Sequence, residues 1–184
     1  MSFTIEDMIL IAEKRYEMKF LAGKNGWANS ISWVHLLEGT TIIQNFWGKE
    51  LAVTTGLGFP QKEDWMHLAR QRNQFHASGL IINVGRYIEE VPKELIAYCD
   101  ENDLPLLTVP WEVHLSDMIK DFSIHVFLQD NTDEQIASAL IKVIETPEKQ
   151  NEYRKEVLQH FDVDGSFQVL LMTCEGLDSM DTVE

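Results

Sequence analysis

The sequence predicts an α/β fold: a three-layer-like domain with a mainly parallel sheet of about four to five strands and βαβ crossovers, followed by long amphipathic helices. One observation is a set of apolar runs that each close on a turn: Ile31 to Leu37, Leu51 to Val53, Leu80 to Val84 and Leu104 to Val109. Another is that helix-patterned segments separate the second, third and fourth of these runs. Strand, helix, strand, helix, strand follows, and each crossover holds about a dozen helical residues, as parallel pairing requires.

Thr4 caps an opening helix, with Asp7 at its third position and Ile5, Met8, Ile9 and Ala12 on one face. Gly23 to Ser30 reads as a loop. Ile31 to Leu37 is rich in β-branched and aromatic residues, as a strand should be, and Glu38 and Gly39 end it. After Leu51 to Val53 the chain turns through Thr54 to Pro60 into a helix from about Lys62 to Ala77, with Trp65, Leu68 and Ala69 inward. Gly79 stands where a C′ glycine would stop that helix.

Leu80 to Val84 is nearly all apolar, the pattern of a mid-sheet strand covered on both faces. Pro92 suits the N1 position of a helix running to about Asn102, with Leu95, Ile96 and Cys99 inward, and Leu104 to Val109 is the last strand. Trp111 to Gln129 is the longest helical pattern. Leu115, Met118, Ile119, Phe122 and Val126 form one stripe, and Ile124, Phe127 and Leu128 lie opposite. Such a helix needs two partners: its own core, and either a second subunit or the rest of the protein. Asp130 to Glu134 reads as a break before another helix through Ile136, Leu140, Val143 and Ile144. Pro147 to Glu156 reads as a polar linker, and Phe167 to Met172 is strand-like.

Composition narrows the function. The 184 residues are 45% apolar, enough for one ordinary core with a remainder. A formal net charge of −15, with no cluster of Lys and Arg, excludes nucleic-acid binding by this stretch itself, because that contact requires clustered cations. Cys99 and Cys174 stand far apart in dissimilar contexts, which suggests neither a disulfide scaffold nor a zinc site. The N-terminus lacks the basic region of a signal peptide, and no apolar run approaches the roughly 18 residues of a membrane span. A cytoplasmic protein without a membrane partner, metal or cofactor is expected.

No catalytic signature survives inspection. Gly56-Leu57-Gly58 follows a strand, but a dinucleotide fingerprint would place its third glycine at Gln61, and Pro60 interrupts the turn. His35 and Glu38 sit at a strand end, where they can act as base and orienter or as two metal ligands; such a pair more often fixes a turn. Thr54 and Thr55 offer hydroxyls beside Gly56, whose bare backbone admits a ligand, and Gly85-Arg86 places a guanidinium at the next strand end. Ligands in open parallel sheets sit at these carboxyl ends. Together the residues suit a polar, planar heterocycle, with ordinary turn chemistry as the competing reading. Trp33, Trp47 and Trp111 offer stacking surface, although tryptophans in such domains are mostly core.

Trp33-Val34-His35, Glu38 and Gly48-Lys49-Glu50-Leu51-Ala52-Val53-Thr54-Thr55-Gly56 resemble the opening domain of the purine catabolism regulator (PucR-like) family of bacterial transcription factors. The likeness continues through Gly79-Leu80-Ile81-Ile82-Asn83-Val84-Gly85 and Leu104-Pro105-Leu106-Leu107-Thr108-Val109-Pro110, covering roughly residues 4 to 125. It implies a ligand-sensing domain at residues 1–130, a helical linker at 131–156 and the truncated start of a degenerate diguanylate-cyclase-like domain at 157–184. It implies too that DNA is bound only through a C-terminal helix-turn-helix outside this chain. The partner is then a small metabolite, purine-related or another nitrogen compound, held by His35, Glu38, Thr54, Thr55, Gly56, Gly85 and Arg86. Two departures bear on its identity: Thr40 to Phe46 replaces a proline-bearing segment usual in the family, and His114 stands where proline is common. The expected protein is a non-enzymatic homodimer. The rivals are a small enzyme using His35 and Glu38, and a dimerisation module without ligand.

Overall fold

The computed structural model describes residues 2–39, 48–149, 151 and 154. The chain divides into two compact units, Met1–Glu134 and Gln135–Glu184. The first contains α1 (Ile5–Arg15), β1 (Lys19–Ala22), β2 (Trp33–Leu36), β3 (Glu50–Thr54), α2 (Lys62–Gln74), β4 (Gly79–Val84), α3 (Lys93–Glu101) and β5 (Leu106–Pro110). Helix α4 (Leu115–Glu145) begins in the first unit and ends in the second, which also holds a 3₁₀ turn at Pro147–Lys149.

Five strands form one sheet in the order β1-β5-β4-β3-β2. Strands β2 to β5 run parallel, in registers such as Leu51↔Gly79 and Leu80↔Leu106, and β1 lies antiparallel on β5. The strand order follows from burial. β4 is central because its apolar side chains can be covered on both faces, whereas edge strand β2 leaves Trp33 and Leu36 half exposed.

Period-two alternation sends side chains to two cores. Ala52, Leu80, Ile82 and Leu106 pack with Trp65, Leu68 and Ala69 of α2 and with Leu95 and Cys99 of α3. Leu51, Val53, Ile81, Leu107 and Val109 pack with Ile5, Met8 and Ala12 of α1 and Met118, Phe122 and Val126 of α4. The sheet is thus sandwiched, and each fully buried Leu or Ile contributes about 1.5–3 kcal/mol of transfer free energy. A capping box begins α1: the Asp7 N–H donates to Thr4 Oγ1 (3.2 Å) and the Thr4 N–H to Asp7 Oδ2 (3.0 Å).

Several local expectations are corrected. Helix α2 ends at Gln74, and Gly79 does not stop it; the left-handed residue is His76 (φ 51°). There the Ala77 N–H reaches the Arg72 carbonyl (2.9 Å) and the His76 N–H the Asn73 carbonyl (3.1 Å), the paired bonds of a Schellman ending. Gly79 is small for another reason: a Cβ there would stand 3.0 Å from the Pro105 carbonyl oxygen. Pro92 is the N-cap of α3 and not its first residue. The break expected at Asp130 to Glu134 is absent, since α4 is helical from Leu115 to Glu145. Asn131 Nδ2 and Thr132 Oγ1 return to the Phe127 and Leu128 carbonyls of the preceding turn (2.7 and 2.9 Å), so polar residues that favour turns are here bonded within the helix. Strand β1 was not expected. The strand-like run Phe167 to Met172, most of the linker from Pro147, and the segment Thr40 to Trp47 lie outside the described residues.

Candidate functional site

At the carboxyl ends of β2 and β3 the chain is tied by its own polar groups. Glu38 follows β2, and its Oε1 accepts the Thr55 N–H at 2.8 Å across the β3 turn. Thr54, fully buried, accepts the Gly56 N–H (3.1 Å), and Thr55 Oγ1 accepts the Leu57 N–H (3.4 Å). Both hydroxyls therefore act as turn fasteners. Gly56 (φ 86°) adopts the left-handed region, and a Cβ there would press on Trp65 and Ile88 at 3.1 and 3.3 Å. Its lack of a side chain serves the turn and the packing beneath it.

The other oxygen of Glu38 differs. Oε2 is buried and has no hydrogen-bond partner among the described residues. A carboxylate oxygen out of water without a donor is costly, by about 1–3 kcal/mol or more for a charged group, and an incoming N–H would relieve that cost. His35, paired in register with Ala52, is partly buried in β2, three residues before Glu38.

One strand further along, the Gly85 N–H donates to the Ile88 carbonyl (2.7 Å), and a Cβ at Gly85 (φ 142°) would meet Trp111 Cβ at 2.7 Å. Arg86 is exposed, its guanidinium 5.7 Å from the Tyr87 ring centroid, and Tyr87 meets Trp111 edge to face at 5.6 Å. Of the three tryptophans considered for stacking, Trp111 thus belongs to this strand-end cluster, Trp33 is half exposed on β2, and Trp47 lies outside the described residues. The structure brings Glu38, Thr54, Thr55 and Gly56 together directly, while Gly85 and Arg86 stand at the end of the adjacent strand.

Sequence reasoning missed Asn83, buried in β4, whose Nδ2 donates to the Pro110 carbonyl at 2.6 Å and holds the end of β5. It missed the buried pair Arg72 and Glu50 too. Burial lowers the Arg72 pKa to about 10, with the Glu50 carboxylate opposing that shift. A polar residue inside an apolar run was the available signal for Asn83; no spacing rule relates Glu50 to Arg72.

The site residues line none of three clefts found elsewhere on the surface. One, of about 460 Å³, lies at the amino ends of the strands between Ser30, Lys49, His76 and Asp103. A second, of about 310 Å³, lies by Lys62 and Glu94, and a third, of about 480 Å³, by Tyr16 and Lys120. Among the described residues no three His, Cys, Asp or Glu side chains are grouped to hold a metal ion, and no helix is long and apolar enough to cross a membrane.

The chain is 28% identical over 107 residues to the purine catabolism regulatory protein of Bacillus subtilis (strain 168); the match covers 58% of this chain and 20% of that relative. The chain therefore spans about a fifth of the length of the curated relative it matches. The model of the purine catabolism regulatory protein-like family matches residues 9–126, from within α1 into α4 and across the whole sheet. With more than half of its length matched, the chain belongs to the purine catabolism regulatory protein-like family.

Proposed function

We propose that this chain is the effector-sensing part of a transcriptional regulator, taking up a small nitrogen-rich metabolite at the carboxyl ends of its parallel strands. What carries the reading is the buried Glu38 Oε2. It faces no donor of the protein among the described residues, so a ligand presenting N–H groups, as purines and their ring-opened ureides do, gains a charge-assisted hydrogen bond there. Arg86 at the neighbouring strand end supplies the complementary charge for a carbonyl or acidic group. Regulation then requires that the ligand favour one of two arrangements of the chain. Helix α4 is suited to report it, since Met118, Phe122 and Val126 are embedded in the sheet's core. A homodimer through the outer face of α4, and DNA contact through residues beyond this chain, complete the proposal.

Thermal unfolding with purine bases, their oxidised forms and the derived ureides tests it. A ligand at about 100 times its dissociation constant adds about 2.7 kcal/mol of stability. The expected result is a raised Tm without turnover, abolished by Glu38→Gln, which replaces an acceptor with an amide donor. A flat response across these compounds, with the protein folded, overturns the reading; turnover lost in Glu38→Gln or His35→Ala would favour an enzyme.

A further inference from the structure

We propose a second small-molecule site at the opposite end of the sheet, in the cleft where the loops entering β3, β4 and β5 meet, and its ligand is a small zwitterion carrying a carboxylate and an ammonium group. The cleft measures about 460 Å³ and is lined by Asn29, Lys49, Asn73, His76, Asn102 and Asp103 among others. That volume lies within the roughly 300–1,000 Å³ of small-molecule pockets.

The backbone around it is held by its own hydrogen bonds. Among the described residues, the non-glycine residues with positive φ are Glu17, Lys49, His76 and Asp103, and the last three, at 62°, 51° and 53°, all line this cleft. His76 and Asp103 are the left-handed residues that end α2 and α3, and the surroundings hold all three conformations in place. Enforcement is visible here. The Lys49 N–H donates to the His76 carbonyl (2.8 Å), the Leu104 N–H to the Cys99 carbonyl (3.0 Å), and the Ser78 N–H to the Glu50 carbonyl (2.9 Å). Ser78 Oγ, on a buried residue, shares its single hydroxyl proton between the Lys49 carbonyl, at 2.6 Å, and that of Ser30. The rim is consequently fixed before any ligand arrives, which lowers the entropy cost of binding.

Charge selects the ligand. Helices α2 and α3 both end at this cleft, and their negative dipole ends join the Asp103 carboxylate on one side of the balance. Lys49 supplies a cation to the same cavity. The amide groups add acceptors: Asn29 Nδ2 is engaged by the Ser78 carbonyl (3.3 Å) and Asn73 Nδ2 by Asn102 Oδ1 (3.2 Å), which among the described residues leaves the Asn29 and Asn73 amide oxygens to receive N–H donors. An ammonium group meets the Asp103 carboxylate, whose Oδ1 also accepts from Asn25 Nδ2 (2.9 Å), these oxygens and the helix ends, and a carboxylate meets Lys49. A purely anionic or purely cationic ligand satisfies only one set.

The test is calorimetry and thermal unfolding of the whole chain with the common free α-amino acids, glycinamide and propionate. At least one α-amino acid is expected to bind and raise Tm, while glycinamide, without the carboxylate, and propionate, without the ammonium, do not. Lys49→Gln and Asp103→Asn should each weaken binding about 10-fold or more, the loss of one charge-assisted bond. Asparagine tolerates the left-handed backbone, so Asp103→Asn keeps the loop, and circular dichroism checks it. Glu38→Gln should leave this binding unchanged, which separates the site from that at the carboxyl ends. No binding by any α-amino acid, equal binding of glycinamide or propionate, or loss of binding in Glu38→Gln overturns the proposal.

Discussion

A methyl group added at Gly58 would stand 2.1 Å from the Glu38 carbonyl oxygen and 2.6 Å from its carbon. Both are backbone atoms, which cannot swing aside as a flexible side chain can. Gly58→Ala should therefore push the turn after β3 away from the end of β2 and cost about 1–3 kcal/mol, read as a lower urea midpoint at unchanged m-value. A midpoint equal to the parent's would show that the two turns can separate freely. Turn geometry and packing account for the glycine pair Gly56-Leu57-Gly58, which falls short of a dinucleotide fingerprint: Gly56 supplies a left-handed backbone and Gly58 a close approach. At this scale sequence reading reaches the residues but not their tasks. Thr54, Thr55 and Glu38 were visible as polar groups at strand ends, yet whether each faces a ligand or a backbone N–H depends on atoms separated by up to 17 residues.

Between elements, Tyr16 joins α1 to α4. Its hydroxyl donates to Asp121 Oδ2 at 3.0 Å, Arg15 Nη1 reaches the same oxygen at 2.9 Å, and the ring meets Phe122 edge to face at 5.8 Å. Burial, then the hydrogen bond to Asp121, raises the phenol pKa from 10.0 to about 12. A raised folded value means that folding favours the protonated phenol. Its contribution is complete below pH 10 and is lost as pH rises toward about 12. Stability measured by urea unfolding should thus fall across that window, and Tyr16→Phe should flatten the fall; parallel pH curves for the two proteins would refute the assignment. Elements were legible in proportion to their apolar periodicity. β3, β4, α2, α3 and the inner stripe of α4 followed from it, whereas β1 did not, because Lys19–Ala22 is a short edge strand with one buried residue. The end of α2 misled because His76 holds the position where glycine is usual, so Gly79 drew the stop too far along, whereas α3 ends at Asn102 as its pattern indicates.

At the scale of the molecule, the sheet is covered on both faces, but α4 still presents Ile124, Phe127 and Leu128 to solvent at 45%, 64% and 56% exposure. These stand opposite the buried Met118, Phe122 and Val126, so the helix side that a globular core leaves polar is here apolar. The proposed homodimer would cover it. A formal net charge of −15 opposes that association at long range, and salt should strengthen it by screening. Leu128→Glu would place a carboxylate in the contact, a desolvation cost of several kcal/mol, while disturbing little of the fold because the side chain is exposed in the monomer. Light scattering at high protein concentration is expected to show a dimer for the parent chain and a mass near that of the monomer for Leu128→Glu, with unchanged circular dichroism. Leu10→Glu is the matched control, since Leu10 is 74% exposed on α1 and should leave the mass unaltered. A parent chain that stays monomeric, or a variant that associates as well as the parent, would remove α4's outer face from the contact and leave signalling to act within one chain.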